Sequence, residues 1–255
     1  MKLSKSFLTY YRLTILVFLL IIGFFANAQN VEDSVLMEQS KLNAIRQFKH
    51  VLNENALIYS GNEYIEYVPI ESLNQILKGT PFFQLDSLVA GSINFDGVIY
   101  TLPVKLQLIE QKVIINHPAS QTLIELPNER VQFFTIGSHF FYKTPIALSN
   151  LMNSDKLYAE KISLGHFDLW IIHEKLLKYS KKAEDQSANY ISYNKYAVQK
   201  KGIWQKIKSE KDLYDICIDK KEEVQNFARN VGLNFNNDFE ASTVQVLKYY
   251  DSILK

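Results

Sequence analysis

Residues 87–142 constrain the fold of this 255-residue chain more than any other stretch. They form a succession of short β-branched and aromatic runs separated by turn residues, a pattern typical of strands with short connections. Asp96-Gly97 separates the runs 92–95 and 98–100, and this dipeptide suits the positive φ angles of a two-residue hairpin. Because parallel strands need long crossovers, the short connections predict an antiparallel meander. The later strands of the meander are predicted at 104–108, 112–116, 121–126, 131–136 and 139–142.

Adjacent aromatic residues recur in and just before this region. Neighbouring side chains on a strand point to opposite faces, so each such pair places rings on both sides of the sheet. Both faces must then be covered. Either helices cover one face while the sheet curls to bury the other, or a curved sheet leaves an apolar hollow for a hydrophobic ligand or partner segment. The candidate contact residues are Phe82, Phe83, Phe133, Phe134, Phe140 and Tyr142.

The first 28 residues have the pattern of an export signal. Lys2, Lys5 and Arg12 precede an apolar run at 13–25, and Ala26-Asn27-Ala28 fits a small-residue cleavage site. The run is too short for a comfortable bilayer span, which favours a cleaved leader over an uncleaved membrane anchor. We therefore expect an exported protein, periplasmic or extracellular, that begins at Gln29 and has no transmembrane segment after cleavage.

Charge and cysteine content narrow the class of protein. Without the leader, 25 basic side chains stand against 27 acidic ones, and no concentrated basic patch predicts nucleic-acid binding. Residues 29–174 carry a net negative charge and residues 175–255 a small net positive one. These charges either lie on ordinary solvated faces, or they dock the two halves on each other or the second half on an anionic surface. Cys217 is the only cysteine, so no intramolecular disulfide can form, and its apolar neighbours predict a buried thiol.

Helices are predicted at both ends of the mature chain. Apolar spacing indicates an amphipathic helix at 33–53 and two helical turns at 71–77. Three helices are predicted after residue 208, with Ser209, Asp219 and Asn237 as their amino-terminal caps. Gly232 closes the second of these helices.

Hairpins and single strands occupy the remaining segments. Ser60-Gly61-Asn62 has the chemistry of a tight turn between 56–59 and 63–68, and a second hairpin joins 193–198 to 202–207. Strands are also predicted at 167–172 and 176–179, with a polar linker at 181–188, whereas 147–158 is ambiguous.

The pattern as a whole predicts an α+β fold. We expect an N-terminal helix, a predominantly antiparallel curved sheet of about six to nine strands, and a C-terminal helical cluster. The expected division is a signal peptide at 1–28, a helix plus β-rich domain at 29–180, and a hairpin plus three-helix region at 181–255. This last region either stands alone or packs with the β-rich domain as one unit.

No catalytic or metal-binding motif stands out. His173-Glu174 begins like a zinc-protease helix motif, but the second histidine would fall at Leu177. His166 and His173 would lie two turns apart on a helix and on opposite faces of a strand, so they do not make a metal pair. Ser138 beside His139 lacks the glycines of a nucleophile elbow. We therefore expect no metal and no cofactor.

Several segments resemble a family of exported Bacteroidota proteins to which no activity is assigned. They are the leader end Ala28-Gln29 and the stretches 59–64, 79–83, 91–97 and 204–250. The resemblance implies a Gram-negative envelope setting, and it carries over no functional residue.

The leading functional hypothesis is a non-catalytic envelope protein that binds a protein partner or an apolar ligand through its aromatic sheet. One alternative is a hydrolase whose polar residues converge into a site only in the fold. Another is a structural subunit of an envelope assembly, which would expose a large apolar patch or oligomerise. The sequence leaves the oligomeric state open.

Overall fold

A computed structural model describes residues 36–41, 43, 57–66, 76–180 and 187–254. Residues 36–41 and 43 are helical, in agreement with the predicted helix at 33–53, whose other residues lie outside the described ones. The predicted export signal at 1–28 also lies outside them. The chain from Ile58 onward forms one compact unit.

The described part of this unit contains a sheet of twelve strands and four α-helices. The strands are β1 (Asn62–Glu63), β2 (Ile76–Lys78), β3 (Val89–Phe95), β4 (Val98–Gln107), β5 (Lys112–Asn116), β6 (Leu123–Glu125), β7 (Val131–Ile136), β8 (His139–Lys143), β9 (Tyr158–Leu164), β10 (Phe167–Tyr179), β11 (Ser187–Lys200) and β12 (Ile203–Ile207). The helices are α1 (Ile146–Met152), α2 (Glu210–Ile216), α3 (Lys221–Val231) and α4 (Phe239–Ile253). No helix within the described ranges is long and apolar enough to cross a membrane.

The strands pair in the order β1-β6-β5-β4-β3-β7-β8-β9-β10-β11-β12, and β2 pairs with β11. Over the described residues, β2 with β11 is the parallel pairing and the other pairings are antiparallel. The α+β class is therefore confirmed, but the sheet is mixed and has more than nine strands. Asp96-Gly97 joins β3 to β4 with positive φ at both residues, as predicted. The simple meander is wrong, because β7 returns to pair with β3.

The hairpin predicted around Ser60-Gly61-Asn62 is wrong. Leu57–Ser60 is a 3-10 helix, and β1 pairs with the distant strand β6. A Cβ at Gly61 would lie 2.2 Å from the carbonyl oxygen of Glu125 on β6. The glycine is therefore needed for close approach of two backbones and not for a hairpin turn.

Three further segments differ from the sequence predictions. Ile76–Lys78 is a strand and not part of a helix, because β11 supplies its hydrogen-bonding partner, while residues 71–75 lie outside the described ones. The strands predicted at 167–172 and 176–179 are one strand, because β11 pairs along it from Asp168 to Tyr179. The linker predicted at 181–188 already enters β11 at Ser187, and its residues 181–186 lie outside the described ones.

Helix caps agree with prediction at two places and differ at two. Ser209 accepts a hydrogen bond from the Asp212 backbone N–H at the start of α2, and Gly232 ends α3 with a φ of +72°, as predicted. Asp219 does not cap α3, because its carboxylate accepts a hydrogen bond from the Tyr250 hydroxyl at 2.6 Å. Asp238, and not Asn237, caps α4 through the Ala241 N–H.

Helices cover both faces of the sheet around β10. Phe167, Leu169 and Ile171 belong to one buried cluster with apolar residues of α2, α3 and α4. The alternate residues Trp170 and Ile172 belong to a second cluster, with Leu148 and Met152 of α1. Because side chains alternate along a strand, β10 buries both of its faces. Cys217 lies fully buried in the first cluster, as predicted, and burial raises the pKa of its thiol to about 12.

The sheet bends enough to bring distant strands into contact. The Tyr158 N–H at the start of β9 donates to Gln111 Oε1 at 3.3 Å, and Lys156 Nζ donates to the Ile109 carbonyl at 3.1 Å. Gln111 and Ile109 lie in the turn between β4 and β5. Since β4 and β9 are four strands apart, a flat sheet would hold them about 19 Å apart at about 4.8 Å per strand. The β4–β5 turn therefore folds over toward β9.

Candidate functional site

A buried carboxylate on β9 joins two histidines from the neighbouring strands. Glu160 is only 3 % exposed, and its two oxygens lie 2.7 Å from His139 Nδ1 on β8 and 2.7 Å from His173 Nε2 on β10. An ionised carboxylate can only accept hydrogen bonds, so both histidines donate to it. The three side chains share one face of the sheet and form a hydrogen-bonded cluster.

The protonation of this cluster follows from its geometry. Burial by itself raises the pKa of Glu160, but the hydrogen bonds from His139 and His173, with their charges, lower the pKa to about 2. The hydrogen bond to Glu160 raises the pKa of His139 above its ordinary value, although burial opposes it. Glu160 is therefore ionised at neutral pH, and His139 holds its proton more tightly than an isolated histidine does.

Phe83 covers the cluster. Its ring meets those of His139, His173 and Phe141 edge-on, with centroid distances of 5.0, 4.8 and 5.0 Å. The backbone N–H of Phe83 donates to the Leu106 carbonyl on β4, which fixes the segment that carries the ring. An apolar ring in this position excludes water and strengthens the electrostatic interactions beneath it.

A second carboxylate approaches from the first turn of α4. Glu160, His173 and Glu240 each place one potential ligand atom within 4.8 Å of the other two. Asn194 Nδ2 and the Tyr196 hydroxyl of β11 donate to Glu240 Oε2 at 2.9 and 3.1 Å. Burial, and then the charge of Glu240, raise the pKa of Tyr196, so this phenol stays protonated and able to donate.

A cleft of about 380 Å³ opens between β8 and β9. The two strands pair only from Phe141 with Glu160 to Lys143 with Tyr158. The cleft lies where this pairing ends, and it is lined by Ser138, Phe140, Tyr142, Glu160, Lys161, Ile162 and Ser163. Because side chains alternate, those of Lys161 and Ser163 project on the face opposite to the Glu160 carboxylate. Residues of both faces of β9 therefore line the cleft, and Glu160 belongs to the cleft as well as to the cluster.

The six predicted contact residues have different surroundings. Phe134 stacks on Phe141 in the core, at 5.0 Å between ring centroids, and its neighbour Phe133 packs on the other face against Tyr142 at 5.7 Å. This is the alternation that the sequence predicts. Phe140 is 49 % exposed and lines the cleft together with Tyr142.

Phe82 forms an isolated antiparallel bridge with Gln107 at the end of β4, and the Phe83 N–H donates to the Leu106 carbonyl. Phe82 is buried with Lys105 Nζ 3.9 Å from its ring centroid, and Phe83 is buried on the histidine cluster. Phe82, Phe83 and Phe134 are therefore buried, whereas their part in ligand or partner contact stays a prediction.

The sequence interpretation missed Glu160, Glu240, Asn194 and Tyr196. One signal for Glu160 was available, because it occupies the inward position in the alternating run Tyr158, Glu160, Ile162, Leu164. A carboxylate at such a position must find partners. Glu240 gave no such signal, since an acidic residue in the first turn of a helix is ordinary.

The two histidines His166 and His173 have different partners. His166 and His173 are not brought together: His166 Nδ1 lies 2.9 Å from Asp251 Oδ1, whereas His173 joins Glu160.

No family model, curated protein or solved structure matches this chain.

Proposed function

We propose that this chain is an exported binding protein of the Gram-negative envelope that holds a small amphipathic ligand in the cleft between β8 and β9. The observation that carries the proposal is the parting of these two strands within an otherwise continuous sheet. A volume of about 380 Å³ lies in the range typical of small-molecule sites.

The lining of the cleft defines the chemistry of the ligand. Phe140, Tyr142 and Ile162 offer an apolar wall, while Ser138 and Ser163 offer hydroxyl groups. Lys161 is already paired with Asp168 at 2.9 Å, so we do not assign it to a ligand. A compact molecule with an apolar body and a few hydrogen-bonding groups fits this combination.

Replacing Phe140 with serine is expected to weaken binding of the fluorescent probe anilinonaphthalene sulfonate by about ten-fold or more, because the probe loses an aromatic wall. Fluorescence titration of the purified protein measures the dissociation constant. Ile203→Ser is the matched control, since Ile203 is an exposed apolar residue of β12 that does not line the cleft. Equal affinities of the two variants would contradict the assignment of the cleft.

The export part of the proposal is supported by the amino-terminal pattern and by the resemblance to exported Bacteroidota proteins. Expression of the full chain in a Gram-negative host is expected to yield a periplasmic or secreted protein whose first residue, by mass spectrometry, is Gln29. An intact 255-residue chain held in the membrane fraction would contradict it.

The hydrolase alternative has one favourable observation, the convergence of Glu160 with His139 and His173. A general acid or base works best with a pKa near the working pH. The pKa of Glu160 instead falls to about 2, which suits a permanently charged partner. We therefore place binding before catalysis.

The structural-subunit alternative also has one favourable observation. Leu176, Ile191 and Tyr193, on the outer part of β10 and β11, are 60, 44 and 58 % exposed, and Leu176 lies opposite Ile191 across the two strands. Single exposed apolar residues are common in monomers, so this stripe ranks below the cleft.

A further inference from the structure

We infer that Glu160, His173 and Glu240 bind a divalent transition-metal ion, for which Zn²⁺ is the representative case. One imidazole nitrogen and two carboxylate oxygens already lie within 4.8 Å of one another. Zn²⁺ accepts this combination of nitrogen and oxygen ligands.

The geometry needs only a small adjustment to receive the ion. Ligand distances of about 2.1 Å in a tetrahedral site place neighbouring ligand atoms about 3.4 Å apart. The widest separation must therefore shrink by at most about 1.4 Å. His173 Nε2 releases to solvent the proton that it shares with Glu160 Oε2, and these two atoms move apart from 2.7 Å. Glu240 is the half-buried member of the group, so its side chain has the most freedom to move.

Both carboxylates are oriented by neighbours that do not belong to the ligand set. His139 holds Oε1 of Glu160, while Asn194 and Tyr196 hold Oε2 of Glu240. Such outer partners fix the direction of metal ligands and raise their affinity for the ion. The Glu240 Oε1 atom accepts no hydrogen bond from any residue that the structure describes, which leaves it available to the ion.

Charge and ligand number select the class of ion. Two carboxylates this close repel each other, and a divalent cation between them removes that repulsion. Ca²⁺ requires six to eight oxygen ligands and Mg²⁺ keeps most of its waters, so a nitrogen-containing set of three favours a first-row transition metal. Three protein ligands leave a fourth position for water or for a donor atom of a ligand.

The competing explanation is a structural ion pair in which Glu160 only neutralises His139 and His173. The two explanations differ in the part played by Glu240, which has no hydrogen bond to either histidine or to Glu160 among the described contacts. An ion site needs the Glu240 carboxylate, and the ion pair does not.

The test is isothermal titration of ZnCl₂ into the untagged, metal-free mature protein. We expect one ion per chain in the wild type and an affinity at least about 100-fold lower in Glu240→Gln, which removes one charged ligand. Glu223→Gln is the matched control, because Glu223 lies on the surface of α3 and pairs with Lys220. His139→Gln is expected to cost about 10- to 100-fold as the loss of an outer partner.

A second readout separates a lost ligand from a lost fold. Co²⁺ bound in place of Zn²⁺ is expected to give visible absorption bands of a four-coordinate ion, which Glu240→Gln abolishes while its far-ultraviolet circular dichroism stays that of the wild type. Phe140→Ser is expected to keep Zn²⁺ binding, because Phe140 lines the cleft but is not one of the three proposed ligands, whereas Glu160 belongs to both sites. Equal Zn²⁺ affinities of Glu240→Gln and Glu223→Gln, or no stoichiometric binding by the wild type, would overturn the inference.

Discussion

Glu160→Ala is expected to lower the free energy of unfolding of the metal-free protein by about 3–5 kcal/mol, the range found when one partner of a buried charge cluster is removed. The substitution leaves His173, which is 5 % exposed, facing an empty space beneath Phe83 with its main acceptor gone. It also removes the carboxylate that stabilises the protonated form of His139. Urea denaturation in the presence of a chelator measures the change.

Glu160→Gln keeps the side-chain volume and one hydrogen-bond acceptor. Its free energy of unfolding should therefore lie between that of Glu160→Ala and that of the wild type. Glu223→Ala serves as the control for loss of an exposed ion pair and is expected to leave the unfolding curve unchanged, because such pairs contribute little. If Glu160→Ala were as stable as Glu223→Ala, the buried cluster would not be an important source of stability.

Gly91→Ala is expected to lower the free energy of unfolding by about 3 kcal/mol or more, as an overpacked site inside the sheet. A Cβ at position 91 would lie 2.0 Å from the Thr135 carbonyl oxygen and 2.8 Å from Cγ1 of Val104. Neither atom can withdraw easily, because Thr135 and Val104 belong to the strands β7 and β4 on either side of β3. The ladders on both sides must therefore shift.

Gly97→Ala is the matched control, since nothing lies within 4 Å of a Cβ built there, although its φ is +79°. We expect it to cost about 1–2 kcal/mol, the strain of a left-handed backbone with a side chain. Urea denaturation measures which variant is less stable, provided that the unfolding free energies of both variants depend on urea concentration with the same slope. A Gly91 variant as stable as the Gly97 variant would show that the strands separate without cost.

Local signals predict the strands whose partners are near in the sequence. The hairpin at Asp96-Gly97 and the strand Val131–Ile136 appear as expected, because turn chemistry and alternation act over a few residues. The partner of β1 and the strand β2 were missed for the opposite reason. Each of these two strands has only two or three residues, and its partner, β6 or β11, lies far along the chain.

The candidate site was harder to predict than the fold. Its members come from β8, β9, β10 and α4, and only their packing reveals that Glu160 and Glu240 are neighbours. The cap of α3 illustrates the same limit on a smaller scale. Asp219 stands at the position typical of a capping residue. Its carboxylate instead accepts a hydrogen bond from the hydroxyl of Tyr250, which is 31 residues away.

The origin of Glu240 in the last helix also fixes when the cluster can assemble. Glu240 follows Glu160 by 80 residues. A growing polypeptide in which α4 has not yet been synthesised contains His139, His173 and Glu160 but lacks Glu240. Metal capture would then begin only once α4 has been synthesised and has joined the strands that carry Glu160 and His173.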